Sequence, residues 1–414
     1  MSQLFQPLRL PNGTLIPNRL AKAAMEENLA DADHAPGDSL LRLYRNWAEG
    51  GAGLIITGNV MVDHRALTGP GGVVLENDHY LPRFRAWAQA CRSQGAQAWI
   101  QINHPGRQLL AALGQPAMGP SEVAVDLPGL EALFAKPRAL SESEIEALIK
   151  RYVHTARLAE QAGFSGVQIH AAHGYLFSQF LSPLTNRRKD RWGGSLENRA
   201  RVLLDTVRAV RTTVAPDFCV AVKLNSADFQ RGGFAAEDAE QVVNLLNELG
   251  VDLVELSGGS YESPAMQGRT RDGSTLAREA YFLEFAERIA KVARMPLMVT
   301  GGIRRREVAE QVLQAGIAMV GMATALAVDP ALPNHWRDGR DRAVQAVSVE
   351  WKNKSLASAA TQAIVKTHLA RLSRGKVAKP ETSALLALIC TQLKTRLQAR
   401  TYRRWAARQA DIAC

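Results

Sequence analysis

Long apolar runs are missing from this sequence, and so are the marks of a secretory leader. No apolar run approaches the roughly 20 residues that a helix needs to span a bilayer. The first residues, MSQLFQPLRLPNG, lack a basic region followed by an apolar stretch. We therefore expect a protein of the cytoplasm that has no membrane partner.

Cysteine is scarce and widely spaced. The four cysteines, Cys91, Cys219, Cys390 and Cys414, form no C-x-x-C pair, and closely spaced pairs are typical of zinc and iron–sulfur sites. We predict no metal site, and we interpret the cysteines as reduced residues without a catalytic task.

Excess charge is absent from most of the chain. The formal net charge is +10, and residues 341–414 carry 14 Lys and Arg against 4 Asp and Glu, which leaves 36 of each sign before them. All of the excess positive charge therefore belongs to the C-terminal region, and we predict two domains, residues 1–340 and a basic extension, residues 341–414.

What the first domain does contain is a regular alternation of apolar strand-like runs and amphipathic helical stretches. Eight such alternations with short buried strands favour an α/β fold of the (β/α)8 TIM-barrel class. The stretch PLRLPNGTLIPNRL predicts an N-terminal hairpin that closes the barrel bottom, and Ala111–Leu140 is long enough to form a lid. The predicted strands lie near Leu20–Ala24, Leu54–Thr57, Ala96–Ile102, Val167–His170, Cys219–Leu224, Leu253–Leu256, Pro296–Thr300 and Met319–Gly321.

The basic extension has the pattern of two long helices, Glu350–Leu372 and Ser383–Arg408, broken at RGKVAKPE. Leu386, Ile389, Leu393 and Leu397 recur at spacings of three and four, which suits a helix with one buried face. We therefore predict a helical hairpin packed on the outside of the barrel, with a role in packing or in a homo-oligomer contact and none in nucleic-acid binding.

Glycines mark two turns that run from a strand into a helix, TGGIRRRE and VGMATAL. Backbone N–H groups at such turns bind anions, and TIM barrels often hold a phosphate between strands seven and eight. This pattern indicates a phosphorylated ligand, although a plain tight turn would use the same glycines. The run GGAGLIITG instead lies between a helix and a strand, the wrong order for a dinucleotide-binding turn.

The segment VQIHAAHGYLFSQFLSP places His170, His173 and Tyr175 just after the predicted fourth strand. Two histidines could be metal ligands, but no third ligand is apparent nearby. They could also be structural. We favour a third interpretation, in which two neutral N–H groups stabilise one developing oxyanion and Tyr175 supplies a proton.

The longer motif IHAAHGYLFSQFLSPLTNRRKDRWGGSLENR resembles the signature of the old yellow enzyme family of FMN-dependent NAD(P)H:flavin oxidoreductases, and the similarity extends from PLRLPNGTLIPNR to LAVDP. The resemblance implies a non-covalent FMN that takes hydride from NAD(P)H and passes it to the β-carbon of an electrophilic alkene. It also implies that His170 and His173 bind the substrate carbonyl oxygen and that Tyr175 protonates the α-carbon.

The same resemblance implies a set of flavin contacts. Ala24 and Met25 would offer backbone to the ring, Gly58 would let it approach, Gln101 would bond its pyrimidine edge, and Lys223 would lie near N1 and O2. The phosphate would lie on Gly301, Gly302, Gly321 and Met322. A fixed cation beside a reduced, negatively charged flavin is also what the chemistry requires.

Three departures from the family pattern are visible. Glu26 follows Ala24-Met25 where relatives carry a small flavin-tuning donor, and no cysteine cluster follows the barrel. Thr324 stands where relatives carry an arginine, so one phosphate contact is either missing or supplied by Arg304. A tRNA dihydrouridine synthase is the alternative that an FMN barrel with a basic helical tail suggests, but such enzymes need a loop cysteine as acid, and Cys91 and Cys219 are poorly placed. A flavin-binding regulator without turnover is a third possibility.

Overall fold

The computed structural model describes residues 2–127, 129–263, 280, 282–379 and 381–412. Its centre is a closed barrel of eight parallel strands. The first strand pairs with the eighth through Leu20 and Val320 and with the second through Ala21 and Leu54, which closes the barrel. The predicted TIM barrel is thus confirmed, with strands at Leu20–Lys22, Leu54–Met61, Gln97–Asn103, Gly166–Ala171, Cys219–Asn225, Leu253–Ser257, Leu297–Thr300 and Met319–Met322.

Side chains alternate between the barrel interior and the layer under the helices, as the two-residue period of a strand requires. The interior layer is apolar and includes Trp99, Ala221 and Met298, all fully buried. Leu8, Leu10 and Ile16 pack against this layer. They belong to the hairpin of Leu8–Arg9 and Leu15–Ile16, so the predicted hairpin does close the barrel bottom.

Helices surround the barrel, and their starts follow local capping chemistry. The Ser141 side chain accepts a hydrogen bond from the Glu144 backbone N–H at 3.2 Å in a full capping box, and Ser195 accepts one from Asn198 at 3.4 Å. The helices of this region are Asp38–Glu49, Leu81–Arg92, Glu142–Gln161, Leu176–Leu181, Leu196–Thr213, Ala236–Leu246, Leu283–Ile289, Arg306–Gln314, Thr324–Val328 and Leu332–Arg337.

The predicted lid follows the third strand. It contains short 3-10 turns at Ala111–Leu113 and Glu131–Leu133 and a pair of two short strands, Ala117–Gly119 and Pro137–Ala139, and a further 3-10 turn, Gly106–Gln108, precedes it. Two smaller elements complete the chain before the tail, the 3-10 turn Gln3–Phe5 and the strand Val73–Val74.

The tail forms two helices, Lys354–Leu372 and Ala384–Ile412, which we call the first and second tail helices. The first one reaches the outside of the barrel, where Arg42 and Asn46 donate hydrogen bonds to the carbonyls of Ser373 and Leu372 at 3.0 and 3.2 Å.

The second tail helix corrects the expectation that the whole hairpin packs on the barrel's outside. Tyr402 donates to the His64 carbonyl at 2.9 Å, and the ring of Trp405 lies 4.3 Å from that of His34. Both histidines lie in segments that follow the C-terminal ends of barrel strands. The second helix therefore crosses the mouth of the barrel.

The predicted buried face of this helix is wrong. Leu386, Ile389, Leu393 and Leu397 are between 47% and 63% exposed. The side turned to the protein carries small and polar residues in the same period, among them Ala387, Thr391, Gln398 and Ala399, because part of that side lines a cavity. In the described residues, no helix is long and apolar enough to cross a membrane.

Candidate active site

His170 lies near the end of the fourth strand and His173 just after it, and the two lie together at the barrel mouth. Their ring centroids are 5.1 Å apart, and the ring of Tyr175 is 4.9 Å from that of His170. His173 has a φ of +61°, a conformation that non-glycine residues rarely adopt. Its backbone N–H donates to Asn225 Oδ1 at 3.0 Å, and its carbonyl accepts from Gln108 Nε2 at 3.1 Å, so both sides of the turn are fixed.

Both imidazoles are held neutral by their surroundings. Desolvation is the main reason why the pKa of each histidine lies well below its usual value. The His173 imidazole and then the charge of Lys223 lower the pKa of His170 further, and Lys223 does the same for His173. The Nδ1 atom of His170 accepts the N–H of Ala172 at 3.2 Å. The proton of His170 therefore resides on Nε2, which leaves that nitrogen as an N–H donor.

Tyr175 is buried beside this pair and keeps its proton. Its hydroxyl lies 3.0 Å from the hydroxyl of Tyr261, and desolvation followed by the charge of Tyr261 and Glu26 raises its pKa well above the usual value. His173 Nε2 lies 2.8 Å from Ser257 Oγ. The structure thus brings together two neutral imidazoles and a protonated phenol, the three groups that the sequence placed in one motif.

A chain of buried polar side chains runs around the barrel just below the histidines. Gln101 donates to Gln168 at 2.7 Å, and Gln168 donates to Glu255 at 2.7 Å. Glu255 also accepts from Lys223 at 2.8 Å and from Thr300 at 2.7 Å. All five side chains face the interior from five different strands, so the predicted Gln101 and Lys223 belong to one connected network.

Sequence reasoning missed Gln168, Glu255 and Thr300. The available signal was a single polar residue at an inward position of a strand that is otherwise apolar, as in LVELS. Glu255 is fully buried. A carboxylate is retained there because Lys223 and two hydrogen bonds compensate its charge.

Ala24 and Met25 follow the first strand, and Gly58 lies opposite them on the second. A Cβ at Gly58 would come within 2.1 Å of the Met25 carbonyl and 2.0 Å of the Glu27 carboxylate. Residue 58 must therefore be glycine for the segment after the first strand to lie this close to the second strand. Glu27 accepts a 2.5 Å hydrogen bond from Tyr44, whose hydroxyl also accepts the Gly58 N–H at 2.7 Å.

Backbone amides at the ends of the seventh and eighth strands lie where an anion site was predicted. Within the described residues, the N–H groups of Gly301, Gly302 and Thr324 donate no hydrogen bond to another backbone group. Gly302 has a φ of +70°, which turns successive amides toward one side. The helix Thr324–Val328 begins directly after Gly321 and Met322. Backbone N–H groups that make no other backbone hydrogen bond at this edge of the barrel are suited to bind a phosphate.

These features fit FMN, which supplies a hydride acceptor and donor when it is bound. The open amides would hold its phosphate, and the buried Lys223 would compensate the negative charge that the reduced ring gains at N1 and O2. Gln101 would reach the ring from the same layer as Lys223. Ala24, Met25 and Gly58 would line the remaining side.

A cavity of about 590 Å³ opens directly above this site. Glu26 and Tyr261 line it on the barrel side, and Tyr261 connects it to Tyr175. The lid contributes Leu130 and Phe134. The two tail helices contribute a further part of the wall.

The described cysteines do not supply a loop acid of the kind that a tRNA dihydrouridine synthase needs. Cys91 is buried in a helix, and Cys219 begins its strand at the end of the barrel away from the mouth. Burial raises the pKa of Cys219 to about 11. Cys390 lies on the second tail helix, on the cavity wall.

Comparison with known proteins identifies the class. The model of the NADH:flavin oxidoreductase / NADH oxidase family matches residues 3–343. The chain belongs to this family, and it is therefore an FMN-dependent oxidoreductase that uses a nicotinamide nucleotide.

Individual relatives agree with this class. The NADH-dependent flavin oxidoreductase iliE of Hypocrea jecorina is 39% identical over 349 residues, which covers 79% of this chain and 87% of the relative. The NADH oxidase of Thermoanaerobacter brockii is 35% identical, and the match covers 83% of this chain but 52% of that relative. The old yellow enzyme homologue of Zymomonas mobilis superposes with a TM-score of 0.71 at 25% identity, covering 86% of this chain and 98% of that one.

Proposed function

We propose that this enzyme reduces the activated C=C bond of α,β-unsaturated carbonyl compounds, with hydride taken from NAD(P)H through FMN. The neutral state of His170 and His173 carries the proposal. An N–H donor on a neutral imidazole polarises a carbonyl oxygen without first surrendering its proton, and it stabilises the negative charge that grows there as hydride reaches the β-carbon.

Tyr175 has the complementary task. Its pKa is raised, so it holds a proton through the physiological range and gives it to the substrate α-carbon, while Tyr261 lies close enough to pass a replacement through its hydroxyl. A morphinone reductase in complex with tetrahydroNAD shares this fold, with a TM-score of 0.67 at 27% identity, and its bound nicotinamide compound supports NAD(P)H as the hydride donor here.

The experiment is rapid mixing of the two half-reactions. Anaerobic protein with FMN is reduced by NADH or NADPH, and the reduced flavin is then mixed with cyclohexenone, an enal and a saturated ketone. Reoxidation by the alkenes and not by the saturated ketone is the expected result. Full reduction by nicotinamide with no reoxidation by any activated alkene would defeat the proposal.

Cytoplasmic residence, a possible homo-oligomer and the lack of a nucleic-acid partner stay predictions from the sequence. Tight tRNA binding that disappears when residues 341–412 are deleted would contradict the last of them.

A further inference from the structure

The cavity above the active site has a cationic wall that the tail helices build. Lys366, Arg371 and Arg374 line it from the first tail helix and the turn after it, and Lys394 lines it from the second. Residues 3–343 match the family, so all four cations lie in the part of the chain that the family model leaves out.

These positive charges lack carboxylate partners in the described part of the chain. Three carboxylates also line the cavity, but Glu27 is paired with Lys22 at 3.3 Å and Glu262 with Arg107 at 2.5 Å. Glu26 is the remaining one, and it accepts the Asn28 side-chain N–H at 3.0 Å. Among the described residues, the four cations therefore share the cavity with one carboxylate that has no ion-pair partner, that of Glu26.

Electrostatics around Lys394 favour the binding of an anion. Partial desolvation, followed by the charges of Lys366 and Arg374, lowers the pKa of Lys394. Its Nζ reaches the Asn28 carbonyl at 3.4 Å. A negative group placed among these cations would remove their mutual repulsion.

The lid side of the wall is apolar. Leu130 and Leu133, at 38% and 44% exposed, and Phe134 line the cavity from the lid. A ligand with an apolar body and an anionic end matches both parts of this surface. Tyr261 lines the cavity and its hydroxyl lies 3.0 Å from that of Tyr175, so a ligand in the cavity lies one side chain away from the reacting centre.

We propose that the tail helices form an anion-binding subsite and that the enzyme acts on activated alkenes that carry a carboxylate or phosphate away from the C=C bond. This proposal rests on the proposed function, because that function identifies the reacting group of the ligand as an activated alkene. The phosphates of the nicotinamide nucleotide are a second source of the same chemistry, and the experiment separates the two.

The test compares a carboxylate-bearing cyclohexenone with its methyl ester on the FMN-bound full chain. Dissociation constants come from perturbation of the oxidised flavin spectrum, and reoxidation rates come from rapid mixing. NADH is compared in parallel with the phosphate-free donor 1-benzyl-1,4-dihydronicotinamide. The variants are Lys394→Met and Arg374→Gln, with Arg396→Met as control, because Arg396 is exposed on the second tail helix and does not line the cavity.

We expect the carboxylate to bind more tightly than its ester, and Lys394→Met and Arg374→Gln each to weaken its binding about 10-fold while the ester is unaffected. If the two variants weaken only the reaction with NADH, and not that with the phosphate-free donor or the binding of the carboxylate, the subsite binds the phosphates of the nucleotide. Equal binding of charged and neutral ligands by the unaltered protein, or an equal effect of Arg396→Met, would overturn the subsite. If no alkene reoxidises the flavin, the proposed function fails, and the binding comparison still decides on the subsite.

Discussion

The pair formed by Lys223 and Glu255 gives the most quantitative prediction. The two groups are 2.8 Å apart, and their side chains are 3% and 0% exposed. With an effective dielectric constant of about 20, unit charges at the observed 2.8 Å attract by about 6 kcal/mol. Desolvation offsets much of this, and removal of one member of a buried pair typically costs about 3–5 kcal/mol.

Glu255→Gln should therefore lower the unfolding free energy of the flavin-free protein by about 3–5 kcal/mol, because it leaves the Lys223 charge buried without a partner. Gln168 and Thr300 donate to different oxygens of Glu255, and glutamine keeps only one acceptor oxygen, so the loss includes one hydrogen bond besides the charge. Lys223→Met should cost a similar amount. The double variant should be more stable than the sum of the single losses predicts, by about 2 kcal/mol or more.

Urea unfolding of the four proteins, followed by tryptophan fluorescence, completes this cycle. The flavin potential adds a second readout of opposite sign. Lys223→Met should lower the midpoint potential of bound FMN, since a stabilising charge is lost, whereas Glu255→Gln should raise it. Strictly additive stability losses would show that the two groups do not interact as the structure indicates. An unchanged potential in Lys223→Met with FMN still bound would place the lysine away from the ring.

Three further outcomes follow from the site. Tyr175→Phe should leave reduction by NADH and enone affinity nearly intact and slow the oxidative half-reaction by about 10² to 10⁴-fold, which rapid mixing with cyclohexenone measures; an unchanged rate would remove Tyr175 from the mechanism. The folded-state pKa values of His170 and His173 are depressed, so the unfolded chain binds more protons than the folded one below about pH 6.5. The unfolding free energy should therefore be highest above that pH and fall as the pH decreases through it. In unfolding measured from pH 8 to 5, the His170→Gln variant should lose part of this pH dependence. Tyr402→Phe should lower the unfolding free energy by about 1 kcal/mol, because the His64 carbonyl loses its donor, and an unaltered value would mean that the tail contact contributes nothing.

The sequence predicted the barrel well because its evidence is periodic and repeated. Each of the eight strands is a short apolar run bounded by turn residues, and each predicted strand overlaps an observed one. The His170 and Tyr175 cluster was predictable for another reason, since its members are adjacent in the chain and the strand end fixes where they point.

The polar network was beyond sequence reasoning because its partners are far apart in the chain. Glu255 is separated from Lys223 by 32 residues and from Gln168 by 87. A lone glutamate in an apolar strand indicates that some partner exists and does not identify it.

The tail shows the opposite failure, in which a clear pattern was interpreted correctly as a helix and assigned to the wrong environment. Leu393 and its neighbours have the spacing of a buried face, yet the helix turns Thr391 and Gln398 toward the protein. Periodicity reports that a helix has two faces. Which of them is buried depends on the surface it meets, and here that surface is a partly polar cavity.

The position of the second tail helix has a consequence for biosynthesis. All eight barrel strands, together with His170 and Lys223, leave the ribosome before Ala384–Ile412 does, and domains generally fold in the order of their synthesis. A nascent barrel can thus acquire its reacting groups while its mouth is still open to solvent. Closure of the cavity and completion of its cationic wall wait for the tail, so a translation product truncated before Ala384 would hold the residues of the site under an uncovered barrel mouth.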